Sequence, residues 1–151
     1  MIRPVGLVCL TLLGQHRRIL GGPFDAYTPP AIGVCLEARS ARASDADILI
    51  AVADFQPPSQ PQLVDALMRL IELMRMRPTA DVYVGCRAGI GRTGTFIASV
   101  ARMAGITDAV TWTRAHYHPH AVETLAQEAC VAALDVDFVW HMISSGTQQN
   151  G

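Results

Sequence analysis

The 151-residue chain predicts a single α/β domain, in which a central, mostly parallel β-sheet is flanked by helices on both faces. Three observations carry this prediction. Apolar runs of strand length recur at residues 5–13, 31–37, 47–53 and 82–86, and they are continuous rather than alternating, as in strands covered on both sides. Longer segments with helical spacing lie among and after them. A Gly-rich turn then joins the last of these runs directly to a helix, a junction typical of α/β sheets.

Taken in order, residues 5–13 read as a buried first strand. Residues 14–30, with Gly21-Gly22-Pro23 and Pro29-Pro30, read as an extended loop. A second strand spans 31–37, a polar connection or helical turn 38–46, and a third strand 47–53. Asp54 opens the Pro-rich stretch that follows, at the strand end where open α/β sheets place their ligands. Ser59 is the expected N-cap of a helix running through residue 77, with Leu63, Leu67, Leu70, Ile71 and Met74 on one face and Pro78 beyond its end. After the Gly-rich turn come a helix over 93–104 closed by Gly105, a short helix capped by Thr107, a loop at 117–120 and a last helix over 122–143. One domain is therefore expected over 1–143, followed by a disordered polar tail over 144–151.

Composition narrows the function. Half of the residues are apolar, 17% are charged and the net charge is −1, so neither nucleic acid nor an acidic membrane surface is an expected partner. No run is long enough to cross a bilayer. The apolar start of the chain leads into Gln15-His16-Arg17-Arg18 rather than a small-residue cleavage site, so it is expected to be a strand and not a secretion signal. Arg17 and Arg18 read as a solvated basic turn that could also attract anions. Cys9, Cys35, Cys86 and Cys130 share no CxxC spacing and form neither a zinc nor a disulfide framework. Cys9, Cys35 and Cys130 lie in apolar runs and are expected to be buried, although one of them could pair with Cys86. His116, His118 and His120 alternate around Tyr117 and Pro119. A solvated loop is the expectation there, with a substrate-contacting rim or a metal site as the alternatives. Nothing in the pattern specifies an oligomeric state.

The stretch from Val82 to Phe96 holds the chemistry. Five residues separate Cys86 from Arg92, and Gly89, Gly91 and Gly94 let the backbone curl into a turn that opens a helix. The backbone N–H groups of Arg87, Ala88, Gly89, Ile90, Gly91 and Arg92 would line an anion-sized nest at the positive end of that helix. The Arg92 guanidinium would add a fork for two phosphate oxygens. Such surroundings favour a thiolate at Cys86, held beneath the phosphate as a nucleophile.

These residues, CRAGIGRTGTF, resemble the signature of the cysteine-based protein tyrosine phosphatases, HCxxGxxR followed by Ser or Thr. Gly85 stands where that signature has His. The resemblance implies a compact, dual-specificity-like phosphatase, needing no cofactor or metal, that acts on phosphorylated proteins or peptides through a phosphocysteine. It implies phosphotyrosine first, with phosphoserine and phosphothreonine as further substrates. It also implies a general acid at a strand end ahead of the cysteine, and Asp54, 32 residues before Cys86, fits that place. Thr93 would hydrogen-bond the sulfur, Gln127 would orient the water of the second step, and Arg114 would anchor loops. A thiolate of this kind suits a reducing compartment, so a cytoplasmic location is expected. A phosphoinositide or RNA 5′-phosphatase using the same loop, and a catalytically inert phosphate-binding module, remain as alternatives.

Overall fold

A computed structural model describes residues 2–150, with side chains through Gly146. The strands are β1 (Gly6–Leu12), β2 (Gln15–Pro23), β3 (Ile32–Cys35), β4 (Ile48–Leu49) and β5 (Val82–Cys86). The helices are α1 (Gln60–Met76), α2 (Gly91–Met103), α3 (Ala109–His116), α4 (Leu125–Ala133) and α5 (Val136–Asn150). The sheet order is β1-β2-β5-β3-β4, with β1 and β2 antiparallel and the other pairings parallel. Among the described residues no helix is long and apolar enough to cross a membrane.

Pleating sorts the core. Val82, Val84 and Cys86 of β5 point into the large cluster built with Leu63, Leu67 and Leu70 of α1 and Phe96, Ile97 and Val100 of α2. Tyr83 points the other way, into a small cluster with Phe24, Tyr27 and Cys35. Among the described residues the second face therefore carries two 3-10 turns (Phe24–Ala26 and Ala43–Asp45) and their loops in place of the α-helices expected there.

Residues 14–30 correct the sequence reading most. Instead of a loop they form β2, a nine-residue strand between β1 and β5. Leu13 and Gly14, both with positive φ, make the tight hairpin turn from β1. The Tyr117 ring crosses the sheet where any side chain at Gly6 or Gly21 would have to stand, so these glycines mark close packing rather than a turn. Strand β1 is an edge strand with alternate residues outward, which leaves Cys9 exposed rather than buried. The third strand shortens to two residues.

The capping box of Ser59 and Gln62 starts α1 as expected. Helix α2 begins at Gly91, two residues before the expected Thr93, and Asp108 rather than Thr107 precedes α3. The long final helix is two helices. A second capping box, Thr124 with Gln127, starts α4, and the chain breaks at Leu134 and Asp135 before α5. Helical backbone runs through Asn150 where a disordered tail was expected, while Gly151 and the side chains of residues 147–150 lie outside the described residues.

Arg17 is not part of a solvated turn. Its guanidinium is buried and donates to the carbonyls of Met74 (3.3 Å), Arg77 (2.9 Å) and Pro78 (2.6 Å), closing the C-terminus of α1. Arg17→Met should lower unfolding stability by about 2–3 kcal/mol, since it removes charge-assisted bonds and orphans buried carbonyls. The urea midpoint reads this, and a change below about 0.5 kcal/mol would mean that the carbonyls find other partners.

Candidate active site

The loop between β5 and α2 stands at the C-terminal end of the parallel strands, with the first residue of α2, Gly91, already inside it. Gly89 takes φ +82°, the left-handed turn that brings the chain back over Cys86. Its N–H donates to Cys86 Sγ at 3.2 Å, and Thr93 Oγ1 donates to the same sulfur at 3.1 Å. Cys86 is buried, so these two donors act where water competes little. Both stabilise negative charge on the sulfur.

Gly85 has a steric explanation. A Cβ there would lie 2.7 Å from the backbone N and Cα of Phe24 and 2.8 Å from the Gly22 carbonyl oxygen. Backbone cannot give way as a flexible side chain can, so the corner after β2 leaves no room for His. A side chain at Gly89 would strike the backbone of Gly22 as well. Tyr117 completes the support, with its hydroxyl donating to the Gly89 carbonyl at 2.6 Å. Burial, and after it the nearby Cys86, pushes the Tyr117 phenol far above its ordinary range, so it stays a donor. Tyr117 is thus a buried prop where a solvated loop was expected, and the unusual glycines of β1 and β2 were its only trace in the sequence.

Arg92 is held from behind. Its Nη1 donates to Val52 O (2.6 Å), Leu36 O (3.4 Å) and Glu37 Oε1 (3.3 Å), and its Nη2 donates to the same carboxylate oxygen at 3.3 Å. The Arg39 backbone N–H, and after it the Arg92 charge, hold the Glu37 carboxyl below its usual range against the effect of burial. Arg92 Nε is buried with no hydrogen-bond partner among the described residues. Asp54 Oδ1 lies 3.7 Å from that nitrogen, on a carboxylate 57% exposed at the mouth. Asp54 is turned by its bond from the Phe55 N–H (3.0 Å), with Phe55 itself left-handed at φ +64° and its ring exposed. A cavity of about 290 Å³ opens at Cys86, walled by Asp25, Glu37, Arg39, Ser40 and Arg87.

Gln127 is fully buried. Its Oε1 accepts from the backbone N–H groups of Glu123 (2.7 Å) and Thr124 (3.2 Å), and its Nε2 donates to Gln56 O at 3.4 Å. Arg114 anchors the same turn through Ala121 O (2.9 Å), Val122 O (2.7 Å) and Glu128 (2.8 Å). The three histidines do not converge. His116 stacks on Trp112, while His118 and His120 face each other at 5.6 Å. Among the described residues no group of His, Cys, Asp and Glu is arranged to hold a metal ion.

All four cysteines are free thiols. Cys35 donates to the Glu37 carbonyl at 3.1 Å, and burial pushes its pKa up to about 11. Burial raises Cys130 too.

A family model described as "Polymorphic toxin system, DSP-PTPase phosphatase" matches residues 35–105, the span from β3 to the end of α2. The chain is similar in fold to the crystal structure of Tk-PTP in the active form, with a TM-score of 0.61 at 22% identity, over 83% of this chain and 95% of that one. It is also similar to the crystal structure of a glycine-to-alanine mutant form of Tk-PTP, with a TM-score of 0.57 at 26% identity, over 72% of this chain and 78% of that one. No curated protein matches the chain.

Gly85→His should not improve this site. The ring would force the loop off the β2 corner, and overpacking of this kind costs about 1–3 kcal/mol or more. Urea unfolding and phosphate-ester turnover should both fall relative to the unsubstituted chain. Unchanged stability with faster turnover would contradict the steric account.

Proposed function

We infer that this chain, a compact dual-specificity-like member of the cysteine-based protein tyrosine phosphatase superfamily, hydrolyses phosphate monoesters through a phosphocysteine at Cys86. Phosphotyrosine in proteins or peptides is the first substrate class, with phosphoserine and phosphothreonine after it. The observation that carries the reading is the sulfur itself, buried at the positive end of α2 and receiving hydrogen bonds from Gly89 N–H and Thr93 Oγ1.

In the first step the phosphate enters the ring of N–H groups from Arg87 to Arg92, and Arg92 Nε gains the acceptor it lacks. Cys86 Sγ attacks phosphorus as the ester P–O bond breaks. Asp54, at the mouth beside Arg92, gives its proton to the departing oxygen. In the second step water displaces the sulfur, and the same two hydrogen bonds take up the charge returned to it. The exposed Phe55 ring beside Asp54 offers an apolar face to an aryl leaving group, which favours a tyrosyl ester. A nucleophile that must remain a free thiol needs reducing surroundings, so we place the enzyme in the cytoplasm.

Cys86→Ser should abolish turnover while keeping orthovanadate binding, because serine retains the shape but is not ionised near neutral pH. Residual turnover within about tenfold of the unsubstituted enzyme would remove Cys86 from its role. Asp54→Asn should slow poor leaving groups by about a hundred- to ten-thousand-fold and activated phenols far less. The check is kcat across aryl phosphates of graded leaving-group pKa. Parallel slopes for the two enzymes would assign the proton to another donor.

A further inference from the structure

We propose that Tyr117 is a positioning residue for the phosphate nest: its hydroxyl holds the Gly89 carbonyl outside, which turns the Ile90 N–H inward. The role concerns the same loop and rests on the phosphatase reading. A trans peptide sets its C=O and N–H in opposite directions, so whatever fixes the carbonyl fixes the N–H as well. The Gly89–Ile90 peptide is trans, and its oxygen accepts from Tyr117 Oη at 2.6 Å. Among the described residues that hydroxyl is the carbonyl's only hydrogen-bond donor.

The chain around this peptide would otherwise leave it free to turn. The first bond of α2 runs from the Gly94 N–H to the Ile90 carbonyl at 2.8 Å, so the helix begins one residue too late to hold the Gly89 carbonyl. Gly89 stands at φ +82°, and glycine offers little steric resistance to rotation about its own bonds. Without the Tyr117 hydroxyl, a buried carbonyl would lack a donor, and rotation would bring its oxygen round toward the nest. A carbonyl oxygen there repels a phosphate and withdraws the Ile90 N–H from it.

The strands fix where the hydroxyl stands. A Cβ at Gly21 would collide with Tyr117 Oη and lie 2.6 Å from its Cζ, and one at Gly6 would lie 2.9 Å from its Cδ1. Burial, and after it the nearby Cys86, raises the phenol far above its ordinary range, so it keeps the proton it donates. A buried tyrosine also needs a partner for its hydroxyl whatever its role, and an inert Tyr117 would satisfy that need at Gly89. The two readings differ in what the hydroxyl does for an anion. The Gly89 N–H that reaches Cys86 Sγ belongs to the preceding peptide, so a role confined to the nest leaves the thiolate unaltered.

Tyr117→Phe keeps the ring and removes only the hydroxyl. It should weaken orthovanadate binding by about tenfold or more and lower kcat/KM for para-nitrophenyl phosphate by about 100-fold. The pH at which iodoacetamide alkylates Cys86 at half its maximal rate should stay where it is in the unsubstituted protein. Tyr27→Phe is the control, because it also removes a hydroxyl that donates to a carbonyl (Ala31 O, 2.7 Å), at the start of β3 and away from the loop. Its orthovanadate binding should be unchanged. Binding by folded Tyr117→Phe within about twofold of the unsubstituted protein, or an equal loss in Tyr27→Phe, would overturn the proposal. A shift in the alkylation profile that accounts for the lost turnover would overturn it too, by placing the effect on the sulfur. If the unsubstituted protein neither binds orthovanadate nor turns over aryl phosphates, the phosphatase reading itself fails and the role of Tyr117 falls with it.

Discussion

Backbone packed directly on backbone, with Gly22 and Phe24 of the β2 corner against Gly85 and Gly89 of the loop, is the contact on which the site depends. Side chains can adjust by rotating, whereas two main chains in van der Waals contact transmit shape without slack. The contact excludes a side chain at Gly85 and fixes the path of the loop, and Tyr117 then locks Gly89 from the carbonyl side. With Gly89 fixed, its N–H has one place to point, and Cys86 Sγ is there. Preorganisation of this kind spares the loop from reordering at the moment charge develops.

Electrostatics divide along the same geometry. Glu37 and two carbonyls hold the rear of Arg92, which leaves Nε to face the mouth with Asp54 beside it. A buried guanidinium without such a carboxylate would be costly to desolvate, and one that spent all of its donors would have none for substrate. Glu123 lies against Gly91, the residue before Arg92, so a further carboxylate stands at the helical end of the loop.

The loop and the carboxylate beside it are legible in the sequence because their signals are local. Cys86, Arg92 and the intervening glycines lie within one turn, and Asp54 follows an apolar run. The supports are not legible, because they are long-range. Gly21-Gly22-Pro23 has the composition of a turn, yet those glycines answer to Tyr117 and to the loop, neither of which is near them in the chain. Cys9 reads as buried until β1 is known to be an edge strand. The start of α4 did leave a local signal, since Thr124 followed three residues later by Gln127 is a capping box and accounts for the burial of that glutamine. The break between α4 and α5 at Leu134 and Asp135 left none, because neither Gly nor Pro marks it.

The central claim is that a loop preformed by this packing delivers Cys86 sulfur to phosphorus. Isotope exchange tests it without any ester substrate. Inorganic phosphate labelled with oxygen-18, incubated with the protein in ordinary water, should lose its label one oxygen at a time as the sulfur reversibly displaces water from phosphorus. Cys86→Ser should stop this loss. Exchange that persists in Cys86→Ser, or its absence in a protein that turns over aryl phosphates, would contradict the account.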